Sequence, residues 1–370
     1  MKIGVPKEIK DKEGRVAITP AGALHLIRHG HCLIVETGAG AASGFTDEQY
    51  EQAGASMVSA AEAWAAELVV KVKEPMPSEY HYLDRQMLFT FFHLAGVDPG
   101  LTRALLEKGT TAIAYETLED AQGRLPILAP MSAVAGNMAT LMGGYYLARF
   151  NQGKGMQLGK VLGKRHGKVV VIGDGVVGQH AAQVACGMGA NVFVAGIDPA
   201  FMQEVKTKVL PEASFFLSTP EAIGAHLVDA DLVVGAILCR GAHAPKVISE
   251  AMIASMEKGS VVVDVSIDQG GCIATSRPTT HSDPVFITHG VVHYCVTNMP
   301  GAYPRTSTIA LMDATLPYIL KIADTGKASL MHDKELATAV NTLDGAITCK
   351  AVADGLGMLD KYAGCAVRPD

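Results

Sequence analysis

Aromatic residues make up only 6% of the 370-residue chain, with a single tryptophan, and charged residues only 18%. No apolar run approaches the ~18 residues that a membrane-spanning helix requires, so no membrane partner is expected. The first residues, Met1-Lys2-Ile3-Gly4-Val5-Pro6-Lys7-Glu8, lack an apolar segment ahead of a small-residue cleavage site, which argues against a secretory leader. Lysine and arginine form no continuous stripe and the formal charge is a mild -6, so nucleic acid is not an expected partner. The seven cysteines, at 32, 186, 239, 272, 295, 349 and 365, are odd in number and include no C-x-x-C pair. They read as reduced thiols in a cytoplasmic protein, without zinc or thiol exchange. His25, His29 and His31 lie close together, yet no neighbouring carboxylate or cysteine completes a metal set, and they read as a polar helix face. No metal is expected, and there is neither a short repeat nor a low-complexity tract.

What the chain does have is 49% hydrophobic residues and 39 glycines. That balance suits an α/β protein with many tight turns between strand and helix, and the length points to two domains. The most informative stretch is Lys168 to Gly178, K-V-V-V-I-G-D-G-V-V-G. Val169 to Ile172 has the length and branching of a buried parallel strand. Gly173, Gly175 and Gly178 follow in the spacing G-x-G-x-x-G, and Val176 and Val177 open a small-residue helix. Each glycine has a separate task in dinucleotide binding: a tight turn, room for a pyrophosphate, and close approach of helix to strand. The first amides of the helix then face the anion.

On either side, strand and helix signals alternate. Strands are expected at Ile3 to Val5, Cys32 to Glu36, Leu68 to Val72, Met87 to Phe92 and Thr111 to Tyr115. Thr19-Pro20 opens a helix to about His29, Thr46 to Gln49 has capping-box spacing, and Asp98 to Lys108 forms a helix. A helix at Ser132 to Phe150 and a Gly/Lys-rich loop at Gln152 to Gly167 read as an interdomain connection. Beyond the glycine turn, strands are expected at Asn191 to Ala195, Ala213 to Leu217, Leu232 to Gly235 and Ser260 to Asp264, with a helix at Ile248 to Met256. Thr308 to Ala323 reads as a helix, and the residues after it as further helices.

In open α/β sheets the carboxyl ends of strands hold ligands, which selects the candidate residues. Arg15, in a loop of alternating charges, either grips a carboxylate with its planar fork or is simply solvated. Lys71 and Lys73 end a strand on alternate positions, and either could lie over a site or point to solvent. His93 follows a strand and has the residue type for proton exchange near neutral pH, although taken alone a satisfied, half-buried structural histidine is the commoner reading of such a place. Asp264 and Asp268 both sit where a strand runs into a glycine turn.

Several blocks carry a resemblance that covers nearly the whole chain: residues 1 to 20, K-V-K-E-P at 71 to 75, and L-F-T-F-F-H-L at 88 to 94. They are joined by V-D-V-S-I-D-Q-G-G at 263 to 271, G-V-V-H-Y-C at 290 to 295, and N-M-P-G-A-Y-P-R-T-S-T at 298 to 308. The sequence resembles the L-alanine dehydrogenases. The resemblance implies two Rossmann-like domains with parallel sheets and an active site in the interdomain cleft. A catalytic domain of residues 1–129 plus 307–370 and an NAD-binding domain of 130–306 are expected.

The same resemblance implies that Arg15 and Lys73 hold the substrate, that His93 is the acid/base and that Asp268 works with the water and amine. For NAD it implies Ser132 near the phosphates, Gly173, Gly175, Val176, Val177 and Gly178 at the pyrophosphate, Ser218 and Leu238 along the dinucleotide, and Asn298 and Met299 near nicotinamide. L-alanine, pyruvate and ammonia are the implied substrates, and a homo-hexamer the implied assembly.

Four positions depart from the family pattern. Gly196 stands where an aspartate usually takes the adenosine ribose hydroxyls, with Asp198 two residues later as a substitute from the loop. Lys206 and Lys208 could meet a 2′-phosphate, but they lie inside the following helix, and NAD is favoured. Ala133, Asn137 and Asp313 stand where glutamate, arginine and asparagine are usual. The competing expectation is a non-catalytic or transhydrogenase-like NAD(H)-binding component, against which stand the four retained site residues and the absence of a hydrophobic span before Asp370.

Overall fold

Runs of β-branched residues become strands buried on both faces, as the pattern requires. In a computed structural model that describes residues 1–239 and 243–364, contacts divide the chain into two units. The first comprises Met1–Met131 and the chain from Gly301 on, and the second Ser132–Pro300.

The first unit begins with β1 (Lys2–Val5), β2 (Cys32–Glu36), β3 (Ser56–Val58), β4 (Leu68–Val70), β5 (Met87–Thr90) and β6 (Thr111–Ala114). In the second unit come a small hairpin, β7 (Gly159–Val161) and β8 (Lys164–His166), then β9 (Lys168–Ile172), β10 (Asn191–Gly196) and β11 (Ser214–Leu217). After these come β12 (Leu232–Gly235), β13 (Val261–Asp264), β14 (Val285–Thr288) and β15 (Val291–Tyr294). Late in the chain, β16 (Val340–Leu343) and β17 (Ala346–Ile347) return to the first unit.

Both large sheets are doubly wound. The first has the order β17-β16-β6-β5-β4-β1-β2-β3 and the second β11-β10-β9-β12-β13-β15-β14. In each, the strand order reverses beside the first strand of the unit's parallel set, between β1 and β4 and between β9 and β12. Such reversal points open a crevice at the carboxyl ends of the strands. Successive residues of one strand enter different cores: Val169 and Val171 pack with Leu232 and Val234, whereas Val170 and Ile172 pack with Val233 and Val262. Burying each such side chain stabilises the unit by about 1.5–3 kcal/mol, which is why these strands read as unbroken apolar runs.

Local signals act as expected at the helix starts. Thr19 Oγ1 accepts from Gly22 N at 3.1 Å, with Pro20 first in the helix Pro20–Arg28. Thr46 and Gln49 form a reciprocal capping box ahead of the helix Asp47–Gln52.

Both sheets are mostly parallel, as expected, and β14, β16 and β17 pair antiparallel at the edges. Other expectations need correction. The supposed loop at 152–167 contains the hairpin β7–β8, and the late residues expected to be helical contain β16 and β17. All three hairpins turn on two residues with positive φ, Leu162-Gly163, His289-Gly290 and Asp344-Gly345, the backbone of a tight turn matched to strand twist. The helix expected at 132–150 runs instead from Leu128 to Tyr146. Pro130 lies in its first turn, where a missing N–H leaves no intrahelical bond unmade.

Candidate functional site

In the second unit, β9 passes to the helix Val176–Met188 through a turn of three residues. Gly173 adopts φ +112, and a Cβ there would lie 2.4 Å from the Ala236 carbonyl oxygen, just past β12 at the reversal point. Its N–H donates to Ala195 O at 3.0 Å, tying the turn to β10. At Gly175 a Cβ would meet nothing within 4 Å among the described residues, so the backbone there is open to an approaching group. At Gly178 a Cβ would fall 1.9 Å from Gly173 O, a contact only glycine avoids. Gly175 is the cap residue and offers no side chain to the first amides of the helix. Turn, opening and close packing thus fall on the three glycines in order, and the uncapped helix start suits a pyrophosphate.

The remaining cofactor-side candidates are placed as follows. Val176 is exposed and Val177 half-buried at the helix start, and Ser132 is half-buried on the helix Leu128–Tyr146. Ser218, just past β11, donates its N–H to Gly196 O at 2.8 Å. Leu238 is exposed beyond β12. Asn298 has φ +57 with its carbonyl 3.3 Å from His281 Nε2, and Met299 is buried. Asp198 is the cap of the helix Pro199–Lys208: its Oδ1 accepts from Ala200 N at 2.9 Å and Phe201 N at 3.3 Å. Lys208 pairs with Glu204 along the same helix at 2.9 Å.

The two aspartates after β13 separate cleanly. Asp264 is fully buried and accepts from Cys272 N and Ile273 N at 3.0 and 3.1 Å, so it holds the glycine turn together. Asp268 is exposed on the short 3₁₀ segment Val265–Gln269, and the neighbouring Gln269 is fixed by Cys239 through both its amide atoms.

The first unit builds a charged cluster at its own reversal point. Glu8 follows β1 and Lys71 follows β4, and both are buried. Lys71 Nζ lies 3.1 Å from Glu8 Oε2 and 3.2 Å from Glu79 Oε1. Burial disfavours the ammonium, but attraction and hydrogen bonds from the two carboxylates outweigh it and raise the Lys71 pKa above 10.5. Glu8 Oε1 also accepts from Val72 N at 2.6 Å and Lys73 N at 3.3 Å. Lys71 is therefore a structural ion, while half-buried Lys73 is presented by backbone that Glu8 anchors.

Arg15 is 2% exposed, which rules out the solvated reading. Glu13 takes its Nε and Nη2 at 2.7 and 2.5 Å, and its Nη1 faces the Met131 sulfur at 3.2 Å. A guanidinium locked in one plane is prepared for a second, planar carboxylate. His93, exposed and at φ +50, is held through its backbone: Glu116 accepts from His93 N at 2.6 Å and from Phe92 N at 3.1 Å. Its ring stacks on Phe91 with centroids 5.7 Å apart. A left-handed backbone at a non-glycine residue costs energy and marks a place that the surroundings over-determine.

Of the three histidines read as a helix face, His25 and His29 lie with ring centroids 4.7 Å apart and planes tilted by 39°. His31 lies past the helix, buried, with Nε2 3.0 Å from Asp324 Oδ1. Cys32, Cys186, Cys239, Cys272, Cys295 and Cys349 are free thiols, and burial pushes the Cys295 thiol up to about 11. Cys365 lies outside the described residues.

Comparison with known proteins decides the family. Residues 4–135 match the alanine dehydrogenase/PNT N-terminal domain, and residues 139–350 match its C-terminal domain. An alanine dehydrogenase of Lysinibacillus sphaericus is 51% identical over 363 residues, 97% of each chain. The chain belongs to the alanine dehydrogenase family. A solved L-alanine dehydrogenase superposes with a TM-score of 0.93 at 43% identity, over 97% of this chain and all of that one. The transhydrogenase of Sinorhizobium meliloti is more distant, with a TM-score of 0.81 at 25% identity over 95% of this chain and all of that one. A non-catalytic, transhydrogenase-like component is thus not the favoured reading.

Within this family pattern, Ala133 and Asn137 are half-buried on the helix Leu128–Tyr146, and Asp313 is exposed on the helix Pro304–Thr325. Sequence reasoning missed the carboxylates that position the predicted residues: Glu8, Glu13 and Glu116. Each follows a strand or lies in a charged loop, the only signal they carried. It also passed over Asp174, inside the glycine turn itself, whose Oδ2 is buried with no hydrogen-bond partner among the described residues.

Proposed function

We propose that the protein catalyses the reversible NAD-dependent oxidative deamination of L-alanine to pyruvate and ammonia. The observation that carries this is a chain similar along its whole length to alanine dehydrogenases, in which each glycine of the turn meets the steric demand of pyrophosphate binding. NAD supplies the hydride acceptor. Gly173, Gly175 and Gly178, with the amides of Val176 and Val177, would hold the pyrophosphate. Ser132, Ser218, Leu238, Asn298 and Met299 would line the rest of the cofactor.

Alanine must lose a hydride from its α-carbon to give an iminium, add water, and release ammonia from the resulting carbinolamine. One proton is liberated for each alanine converted to pyruvate and ammonium. Arg15 fixes the substrate carboxylate through its planar fork and Lys73 the oxygen that becomes the pyruvate carbonyl. His93 accepts the proton as water adds and returns it as the amine leaves, and Asp268 orients the water and amine. The rigid seats of Arg15, Lys73 and His93 on Glu13, Glu8 and Glu116 support these roles, since positioning groups work only when their own geometry is fixed.

The protein acts in the cytoplasm as a homo-hexamer. Among the described residues no helix is long and apolar enough to cross a membrane. Leu141, Tyr145 and Phe150 expose apolar surface, 79% of it in the case of Phe150, of the kind that subunit contacts cover. Purified protein should reduce NAD with L-alanine at alkaline pH and consume NADH with pyruvate and ammonia. Absence of turnover in both directions would refute the activity, and a monomer by light scattering would refute the assembly.

A further inference from the structure

The adenosine end of a dinucleotide site normally depends on a carboxylate at the carboxyl end of the second strand, which accepts the ribose hydroxyls. Here that position, the last residue of β10, is Gly196 and has no side chain. Its neighbour in space is the glycine turn, because β9 and β10 pair in parallel with Ala195 beside Ile172. A Cβ built on Gly196 would lie 2.4 Å from Asp174 Oδ2 and 2.9 Å from its Cγ. Within one aspartate side chain the Cβ and a carboxylate oxygen are also about 2.4 Å apart, from standard bond lengths. The Asp174 carboxylate therefore lies as far from that Cβ as an oxygen of an aspartate at 196 would lie.

The state of the carboxylate supports a binding role. Among the described residues Oδ2 has no hydrogen-bond partner although its surface is buried, and an unsatisfied buried acceptor is destabilising. Asp174 itself is half-buried, and its backbone carbonyl accepts from Gln179 Nε2 at 2.9 Å, which holds the residue in the turn. Burial first, and then the like charge of Asp198, raise the Asp174 pKa. A vicinal diol would provide the donors that this oxygen lacks. Asp198, the other acidic residue near the strand end, gives its Oδ1 to capping the helix Pro199–Lys208.

We infer that Asp174 is the residue that binds the adenosine ribose hydroxyls, so that the acidic member of the fingerprint has moved from the strand end into the glycine turn. Gly196 is its necessary partner, since any side chain there would occupy the carboxylate's place and also meet Met202 Cγ at 2.5 Å. The same carboxylate selects against NADP, whose 2′-phosphate would bring a second negative charge against it. This assignment rests on the reading of the turn as an NAD site.

The test is calorimetric binding of NAD, NADP and ADP-ribose to wild-type protein, Asp174→Asn, Gly196→Asp and the exchange variant Asp174→Gly/Gly196→Asp, with melting temperatures recorded for each. Loss of a hydrogen bond to a charged acceptor should weaken NAD and ADP-ribose binding to Asp174→Asn by about tenfold or more and narrow the preference over NADP. Gly196→Asp alone should also bind NAD less well, whereas the exchange variant should recover to within about threefold of wild type. Asp174→Asn that melts like wild type and binds NAD within twofold of it would overturn the assignment, as would wild-type protein that prefers NADP. Wild-type protein that binds neither dinucleotide would instead remove the cofactor reading itself.

Discussion

Two alanine substitutions three residues apart in the glycine turn should have opposite consequences. At Gly178 the new methyl group would be 1.9 Å from Gly173 O, 2.9 Å from Gly173 C and 3.2 Å from Val171 Cγ1. Carbon and carbonyl oxygen approach no closer than about 3.3 Å, so helix and strand must separate by more than 1 Å against backbone that cannot rotate aside. Overpacking of this kind costs about 1–3 kcal/mol, and a unit of this size loses roughly 2–4 °C of melting temperature per kcal/mol. Gly178→Ala should therefore melt about 2–12 °C below wild type. At Gly175 the backbone angles, φ -72 and ψ -170, suit alanine, and the new methyl meets no atom. The modest loss of a glycine cap is offset by a less flexible unfolded chain, leaving stability within about 1 kcal/mol of wild type. The methyl would nevertheless stand where the pyrophosphate approaches, and NAD should bind about tenfold or more weakly. Calorimetric unfolding without cofactor and titration with NAD separate the two effects. Gly175→Ala with wild-type NAD affinity would refute the placement of the pyrophosphate, and Gly178→Ala with an unchanged melting temperature would refute the packing argument.

Two further outcomes concern the first unit. Lys71→Met should cost about 3–5 kcal/mol, because it leaves Glu8 and Glu79 buried without their cation. Since the folded pKa of Lys71 is raised above 10.5, its stabilisation is complete below that pH and is lost as pH rises through the folded value; wild type should lose melting temperature there, and equal pH slopes in the variant would contradict the pairing. His93→Ala should lower kcat by ~10²-fold or more while the melting temperature changes little, and a near-native kcat would remove His93 from proton transfer.

The parts of the fold visible in the sequence are those where one residue type answers one physical demand. Gly173, Gly178 and the runs Val169 to Ile172 and Val261 to Val263 could hardly be otherwise, given a tight turn, a close crossing and strands buried on both faces. The edge hairpins were harder to see. Asp344-Gly345 is a regular signal for a two-residue turn, but Leu162-Gly163 and His289-Gly290 are not, since leucine seldom takes positive φ and His-Gly is not among the favoured turn pairs. Arg15 looked solvated because its loop is full of charge, and only the fold shows Glu13 taking it out of water. Asp174 carries no signal within the fingerprint, because its meaning depends on Gly196, a neighbour that parallel pairing brings beside the turn.

The pairing of β16 with β6 carries a consequence for synthesis. More than 200 residues separate β6 from β17, and the whole second unit is made in between. At 5–20 residues per second the ribosome needs on the order of 10–50 s to deliver the missing edge. During that interval β6, whose four residues are all buried in the finished sheet, has an open row of amides and carbonyls. The second unit, encoded without interruption, can fold at once, while the first waits with a sticky margin. A nascent chain stalled between Pro300 and Val340 should therefore be the species that chaperones hold and that aggregates when they are scarce.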